Sequence, residues 1–256
     1  ASFRVFRGQR FRLGSRFTNN PKQPPPVSRR LSCHETIITM NHHHLPTLAL
    51  LTVSATLCLA EKNADLKPLH ARAGKQVVDE TFAAPALGKA WTANKGDWQV
   101  REGALVGKEK ASDEHAAVLT LGQPNRDSIL RFSFRLDGAK GFNVSWNHAK
   151  GHLFRIGIAE DGLTLNKDKD KKDPASKAVA LGKAAGKFEP GKWHTLLVEI
   201  QGAKVSVQAD NGLKLAGSHP ELDVDKTGYR FVTRGESVSI ADVKVWQVEK
   251  PLAAAK

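Results

Sequence analysis

The sequence predicts an all-β protein, folded as a two-sheet antiparallel β-sandwich of the jelly-roll type. From position 76 onward, short runs of alternating apolar and polar residues are broken by Gly, Asp, Asn and Pro, and no long segment has a helical period. About a dozen such runs occupy some 175 residues without an internal repeat. With 40% apolar residues and only two Cys among 256 residues, the chain is not collagen-like, disulfide-dense or fully disordered.

The clearest strand is 128–136, in which apolar residues at even-numbered positions from 130 alternate with Arg and Ser at odd-numbered positions. The segments 142–146 and 154–158 repeat this alternation. Because successive side chains of a strand point to opposite faces, each of the three strands is expected to bury one row and expose a polar or basic row. Trp146 falls in the apolar row, so we expect it in the core.

The second half of the domain continues the pattern. Residues 196–200 and 205–207 alternate around Gln201-Gly202, which predicts a β-hairpin. Asp161-Gly162 and Asn211-Gly212 predict two more tight turns. The apolar residues of the last strand change from even-numbered to odd-numbered positions near Ala241-Asp242, which predicts a β-bulge there. The charged segment 167–173 lacks the glycine and distal glutamate of a calcium loop, and we interpret it as a hairpin tip.

The first 60 residues differ from the rest. Residues 1–39 contain eight basic residues and one acidic residue without apolar periodicity, so we expect a disordered basic leader upstream of the true start. Residues 40–60 begin at the only methionine, Met40, and contain an apolar run that ends in Cys58-Leu59-Ala60, the pattern of a signal peptide. A basic nucleic-acid-binding arm and a retained membrane segment are the alternatives. Residues 61–75 are predicted to be a linker and residues 76–250 the sandwich.

Cleavage after Ala60 would change the character of the chain. The formal charge would fall from +13 to +6, because 31 basic and 25 acidic residues follow position 60. Both cysteines, Cys33 and Cys58, would be removed, so the core alone would stabilise the domain. We therefore expect an exported protein, periplasmic or extracellular, with no membrane span after cleavage and no nucleic-acid partner.

Three parts of the sequence form a recognisable set. They are the opening segment 77–106, with Val-Val-Asp-Glu-Thr-Phe and Gly-Asp-Trp-Gln-Val, the Gly-Lys-Trp-His-Thr segment 191–195, and the closing segment 239–245. Together they resemble the 3-keto-disaccharide hydrolase domain family, which has a concanavalin A-like lectin/glucanase jelly roll. The resemblance covers roughly 76–249 and implies the fold, a carbohydrate partner and hydrolysis of a glycoside, possibly a 3-keto glycoside. At the family's centre this chain instead has Gly-Phe-Asn-Val-Ser-Trp-Asn at 141–147, so no catalytic residue is carried over.

Known catalytic patterns are absent from the sequence. There is no Glu-x-Asp-x-x-Glu run and no Gly-x-Ser-x-Gly elbow. His148 and His152 flank a turn and could meet at a metal, and Glu80 and Asp242 could meet at a structural calcium, but solvated or edge positions explain these residues better. We expect no cofactor, and the catalytic and metal-binding residues stay open.

The polar rows of 128–158 are the candidate sugar-binding surface. Planar side chains that form paired hydrogen bonds are the groups that recognise sugar hydroxyls. The predicted binding residues are Arg131, Arg135, Asn143, Ser145, Asn147, Arg155 and Glu199. The alternative to an enzyme is a non-catalytic glycan-binding module or a structural module of the cell envelope on the same fold.

Overall fold

The computed structural model describes residues 65–249 and confirms the predicted all-β fold, in which all strand pairs are antiparallel. The predicted leader 1–39 and signal peptide 40–60 lie outside the described residues. Two short 3-10 helices, Ala111–Asp113 and Pro220–Leu222, accompany thirteen strands within 65–249. The strands are β1 Ala73–Glu80, β2 Trp91–Lys95, β3 Asp97–Arg101, β4 Ala104–Lys108, β5 Ala117–Leu121, β6 Ser128–His148, β7 Gly151–Ala159, β8 Gly162–Lys167, β9 Val179–Ala185, β10 Trp193–Gln201, β11 Lys204–Ala209, β12 Lys214–Ser218 and β13 Gly228–Val248.

Two 21-residue strands, β6 and β13, contribute to both layers of the sandwich. The first half of β6 and the second half of β13 pair with each other and extend through β10, β11 and β12 on one side and β1 on the other, with the β3–β4 hairpin beside 238–240. We call this layer sheet I. The second half of β6 and the first half of β13 also pair with each other. They extend through β7, β8 and β9 on one side and through β5 and β2 on the other, and this layer is sheet II.

The change from one sheet to the other takes place near Gly138 in β6 and Gly235 in β13. Both glycines have positive φ, 85° and 89°, and the register between the two strands shifts there. A Cβ at Gly235 would lie 2.7 Å from the backbone nitrogen of Lys140, so a side chain does not fit at this crossing. The sequence indicated two separate strands, 128–136 and 142–146, whereas the chain continues through the bend as one.

The core lies between the sheets and receives the even-numbered residues of β6 from both of its halves. Phe132, from sheet I, contacts Phe142 and Phe231 of sheet II with ring centroids 6.3 and 5.6 Å apart. Trp146 is fully buried, as predicted, and stacks on Phe154 at 4.7 Å. These contacts show that the even-numbered rows face one shared core, so the odd-numbered rows face outward from both sheets.

Several local predictions are confirmed. The 196–207 hairpin is β10–β11, and Gly202 in its turn has a φ of 57°. The last strand shifts register between Ala241 and Lys244, and Asp242 there has a φ of 49°. The segment 167–173 lies at a hairpin tip, as predicted, because β8 and β9 pair antiparallel up to Lys167 and Val179 and residues 168–178 connect them.

The predicted linker 61–75 requires a correction over its described part. The first strand begins at Ala73 rather than at position 76. Residues 65–72, which we call the strap, lie on the outside of sheet I and are bound to it by hydrogen bonds. The strap was predicted to be a linker because it has few large apolar side chains. It is held to the sheet mainly by its backbone N–H groups, and amino-acid composition gives no sign of such contacts.

Candidate functional site

The seven predicted binding residues do not form one patch. Arg131, Arg135 and Glu199 lie on the outer surface of sheet I, the sheet I face, because they belong to the first half of β6 and to β10. Asn143, Ser145, Asn147 and Arg155 lie on the outer surface of sheet II, the sheet II face. The odd-numbered residues of β6 do face outward, as predicted. Because β6 passes from sheet I to sheet II, however, its odd-numbered residues lie on one side of the sandwich in its first half and on the opposite side in its second half.

On the sheet I face, Arg135 is held in a fixed position. Its Nε donates to Oδ1 of Asp137 at 2.7 Å, and an Nη lies 3.4 Å from Oγ of Ser239, which itself donates to Asp137 at 2.6 Å. The guanidinium also lies over the ring of Trp193, 5.0 Å from its centroid. Its neighbour Arg131 is half-buried, and the Nε of Arg131 has no hydrogen-bond partner within 65–249.

Glu199 anchors the strap and is 3% exposed. One carboxylate oxygen accepts the backbone N–H of Leu69 at 2.8 Å, and the other accepts those of His70 at 2.9 Å and Ala71 at 2.8 Å. Three backbone donors on one carboxylate are charge-assisted hydrogen bonds. Glu199 therefore has a structural role on this face.

The strap also covers apolar surface. Ala71 packs with the fully buried Ile129 and Leu197, and the side-chain amide of Gln208 donates to the backbone oxygen of Lys67 at 2.9 Å. A cavity of about 480 Å³ opens beside the strap, between His70 and strands β11 and β12. Much of the sheet I face is thus occupied by the protein's own chain.

The sheet II face is crossed by a row of polar side chains that we call the polar row. Register pairs place Asn166, Arg155, Ser145, Arg230 and Thr120 side by side on five neighbouring strands. None of the strap contacts described above reaches this face. The row combines amide, hydroxyl and guanidinium groups that can serve one ligand together.

The two arginines of the polar row differ in their partners. Arg155 forms an ion pair with Asp168, whose carboxylate is buried. Arg230 is half-buried, and its Nε has no hydrogen-bond partner among residues 65–249. Because this Nε is itself covered, a ligand can reach only the exposed part of the Arg230 side chain.

Next to the polar row, the sheet II face has a groove of about 300 Å³, which is lined by residues that include Asn143, Thr164 and Lys183. Gly157 lies between Asn143 and Thr164, and a Cβ there would come 2.5 Å from the hydroxyl of Thr164. The missing side chain leaves the depression open between its neighbours.

At the end of sheet II, a pocket of about 290 Å³ contains both histidines of the β6–β7 turn, His148 and His152. Asp168, Asp170 and Glu221 also line it. Nδ1 of His152 lies 3.2 Å from Oδ1 of Asn147, because the register shift before Asn147 turns His152 to the outward row rather than to the parity of Phe154.

Both histidines of this pocket are neutral near pH 7. Burial lowers the pKa of His148 below its ordinary value of 6.5. Burial also lowers the pKa of His152, and the nearby positive charge of Arg230 lowers it further. Neutral imidazoles can accept protons, so the pocket has groups suited to acid–base chemistry.

Within the described range 65–249, no group of three or more His, Cys, Asp or Glu side chains is arranged to hold a metal ion. Glu80, considered above for a structural calcium, instead accepts the N–H of Phe82 at 2.8 Å. A search of the same residues for an apolar helix long enough to cross a membrane finds none.

Sequence reasoning missed Arg230 and Asp168. A signal for Arg230 was present, because the segment 228–234 alternates buried Tyr229 and Phe231 with Arg230 and Arg234. Asp168 gave no comparable signal, since nothing in a run of alternating Lys and Asp indicates which carboxylate will meet Arg155.

Comparison with known proteins identifies the fold. No family model and no curated protein matches the chain. Among solved structures, a sialidase is similar over 68% of this chain and 19% of its own, with a TM-score of 0.52 and 11% identity. The CBM2 module of the evolved Dit protein of Lactobacillus casei BL23 phage J-1 is similar over 70% of this chain and 97% of its own (TM-score 0.51, 10% identity). Porphyranase B from Zobellia galactanivorans is similar over 67% and 91% (TM-score 0.51, 11% identity). At these identities the likeness shows a shared β-sandwich fold.

Proposed function

We propose that this protein binds carbohydrate on the sheet II face. The observation that carries the proposal is the polar row, which places Arg155, Ser145 and Arg230 side by side on the outer surface of sheet II, with Arg155 exposed, Arg230 half-buried and Ser145 5% exposed. Asn143 and Asn147 extend the same surface with two amides. Such groups form the paired hydrogen bonds that sugar hydroxyls and ring oxygens require.

Two further points support this face over the other. The sheet I face is occupied by the strap, and its Arg135 and Glu199 are already engaged within the protein. The solved structures of similar fold include a CBM2 module and porphyranase B. Their names are consistent with a sugar ligand for this fold.

Calorimetric titration of the full-length protein with a panel of oligosaccharides tests the proposal. Asn143→Ala removes an amide from the groove, and we expect affinity to fall about 2- to 10-fold, the value of one or two hydrogen bonds. Gln99→Ala is the matched control, because Gln99 is an exposed amide on β3 outside sheet II. Equal affinity of both variants for every bound sugar would refute the assignment to this face.

Glycoside hydrolysis is a second candidate, and the pocket at the end of sheet II favours it. Two neutral histidines and the carboxylates of Asp168, Asp170 and Glu221 line one cavity, which can support proton transfer. The resemblance to the 3-keto-disaccharide hydrolase domain supports a 3-keto glycoside as substrate.

Sugar release from 3-keto glycosides and from their unoxidised parents tests this second candidate. We expect His152→Gln to abolish release, and His115→Gln, at an exposed histidine outside the pocket, to preserve it. Binding without release in the unmodified protein would leave a non-catalytic module.

We also propose that the protein is exported, on the strength of the signal-like segment 40–60. N-terminal sequencing of the protein recovered outside the cytoplasm should begin at Glu61. Recovery of the unprocessed chain in the cytoplasm would contradict export.

A further inference from the structure

The strands of sheet II carry an unbalanced positive charge on their outer face. Their outward-facing positions include Arg155, Arg230, Arg234 and Lys183, and within 65–249 they include no Asp or Glu. A sheet surface with one sign of charge attracts ligands of the opposite sign.

Only part of this charge is neutralised by neighbouring loops. Asp168 pairs with Arg155, and Glu109 lies 3.9 Å from Arg234. No described carboxylate forms an ion pair with Arg230 or Lys183. Lys95 on β2 is a further outward-facing cation for which no described carboxylate forms an ion pair. Arg230 and Lys183 are separated by four inter-strand spacings, roughly 20 Å, so they lie on either side of Ser145, Arg155 and the groove lined by Asn143.

The sheet II face also lacks an aromatic platform. None of the described outward-facing positions on its strands is Trp, Tyr or Phe, because the aromatic residues of these strands point into the core. Without a ring on which a neutral pyranose can stack, hydrogen bonds and charge have to supply the affinity. The missing rings also argue against single-stranded nucleic acid, whose bases stack on exposed aromatics.

We infer that the sheet II face selects an acidic glycan, an extended oligosaccharide bearing carboxylate or sulfate groups, with Arg230 and Lys183 as its specificity-determining residues. This inference rests on the proposed carbohydrate-binding function and names its ligand class. The guanidinium of Arg230 is the chief contact, because its planar donors match carboxylate and sulfate oxygens and no described carboxylate forms an ion pair with it. Lys183 provides a second point charge at the far side of the groove.

The experiment compares ligands that differ in charge alone. The full-length protein is titrated calorimetrically with tetragalacturonic acid and with its neutral methyl ester, then with a sulfated cello-oligosaccharide and unmodified cellotetraose. We expect each acidic member to bind at least ten-fold more tightly than its neutral partner, and this preference to shrink as salt is raised. A single-stranded DNA oligonucleotide is titrated in parallel.

Three variants locate the effect. Arg230→Gln should weaken binding of the acidic ligands about ten-fold or more, the value of a charge-assisted contact. Lys183→Gln, at an exposed position where folding is not at risk, should weaken it about three-fold by loss of one screened charge. Arg101→Gln removes the same charge from exposed β3 and should change nothing.

The outcomes separate the inference from the proposed function. Equal affinity for acidic and neutral partners, or equal effects of Arg230→Gln and Arg101→Gln, would overturn the inference and leave carbohydrate binding intact. No binding of any sugar would overturn both. Tighter binding of the oligonucleotide than of every glycan would replace the assigned ligand class. Binding of only the carboxylated or only the sulfated member would support the inference and identify the anionic group.

Discussion

Replacing Glu199 by Gln should release the strap while the sandwich stays folded. The substitution preserves shape but removes the negative charge and exchanges one acceptor oxygen for an NH₂ group. That group would face a backbone N–H of Leu69 or those of His70 and Ala71, all within 2.9 Å of the present carboxylate. A donor facing a donor in a buried position is unfavourable, so the strap is expected to lift from the sheet.

The size of the effect follows from these contacts. A hydrogen bond to a charged group contributes about 1.5–3 kcal/mol, and one or two of the three are lost outright. Release of the strap limits the loss, because the freed N–H groups then bind water and each freed residue regains about 1–2 kcal/mol of backbone entropy. We expect the free energy of unfolding to fall by about 2–4 kcal/mol, in the range of one or two such bonds.

Urea denaturation and amide hydrogen exchange measure the two parts of this prediction. With a urea dependence of about 2 kcal/mol per molar, the middle of the usual range, the midpoint should fall by about 1–2 M. Exchange should accelerate at positions 69–71 and stay slow in β6 and β13. Glu189→Gln is the matched control, because its ion pair with Lys192 lies on the exposed surface, where solvent screens it and it adds little to stability.

Unchanged protection at positions 69–71 in the Glu199→Gln protein would refute this reasoning. So would a midpoint shift no larger than that of Glu189→Gln. The variant should bind sugars as the unmodified protein does, because the strap and the polar row lie on opposite faces.

Three other substitutions test the packing of the protein and the dependence of its stability on pH. Burial lowers the pKa of Lys226 from 10.5 to about 8, so from about pH 8 the unfolded chain binds more protons than the folded one and stability rises with pH. Lys226→Met should remove a rise of up to about 2 kcal/mol between about pH 8 and pH 9.5, seen by urea denaturation at each pH. Phe231→Ala empties a position between three rings, including Phe132, and should cost about 3–5 kcal/mol in the same assay. Gly107→Ala places a Cβ against the indole of Trp98 and should lower stability by about 1–3 kcal/mol, with altered tryptophan fluorescence; an unchanged protein would show that the ring can move aside.

The sequence was informative about the fold because alternation has a period of two and little else imitates it. Burial of Leu130, Phe132 and Trp146 followed directly from parity. The site was less predictable, because parity states which residues share a side of one strand but not that β6 bends from sheet I to sheet II. Contacts that depend on distant backbone atoms, such as those of Glu199, have no local signature.

The strap has a consequence for the order in which the chain folds. Its three N–H donors find their acceptor 128 to 130 positions later in the sequence, on β10. The strap leaves the ribosome well before β10, so it can dock only after β10 has been made, and contacts of such long sequence separation form slowly. Until then Ile129 and Leu197 are uncovered, a period in which nascent chains are prone to associate. Changes at Glu199 are therefore expected to accelerate unfolding and to leave the folding rate almost unaltered.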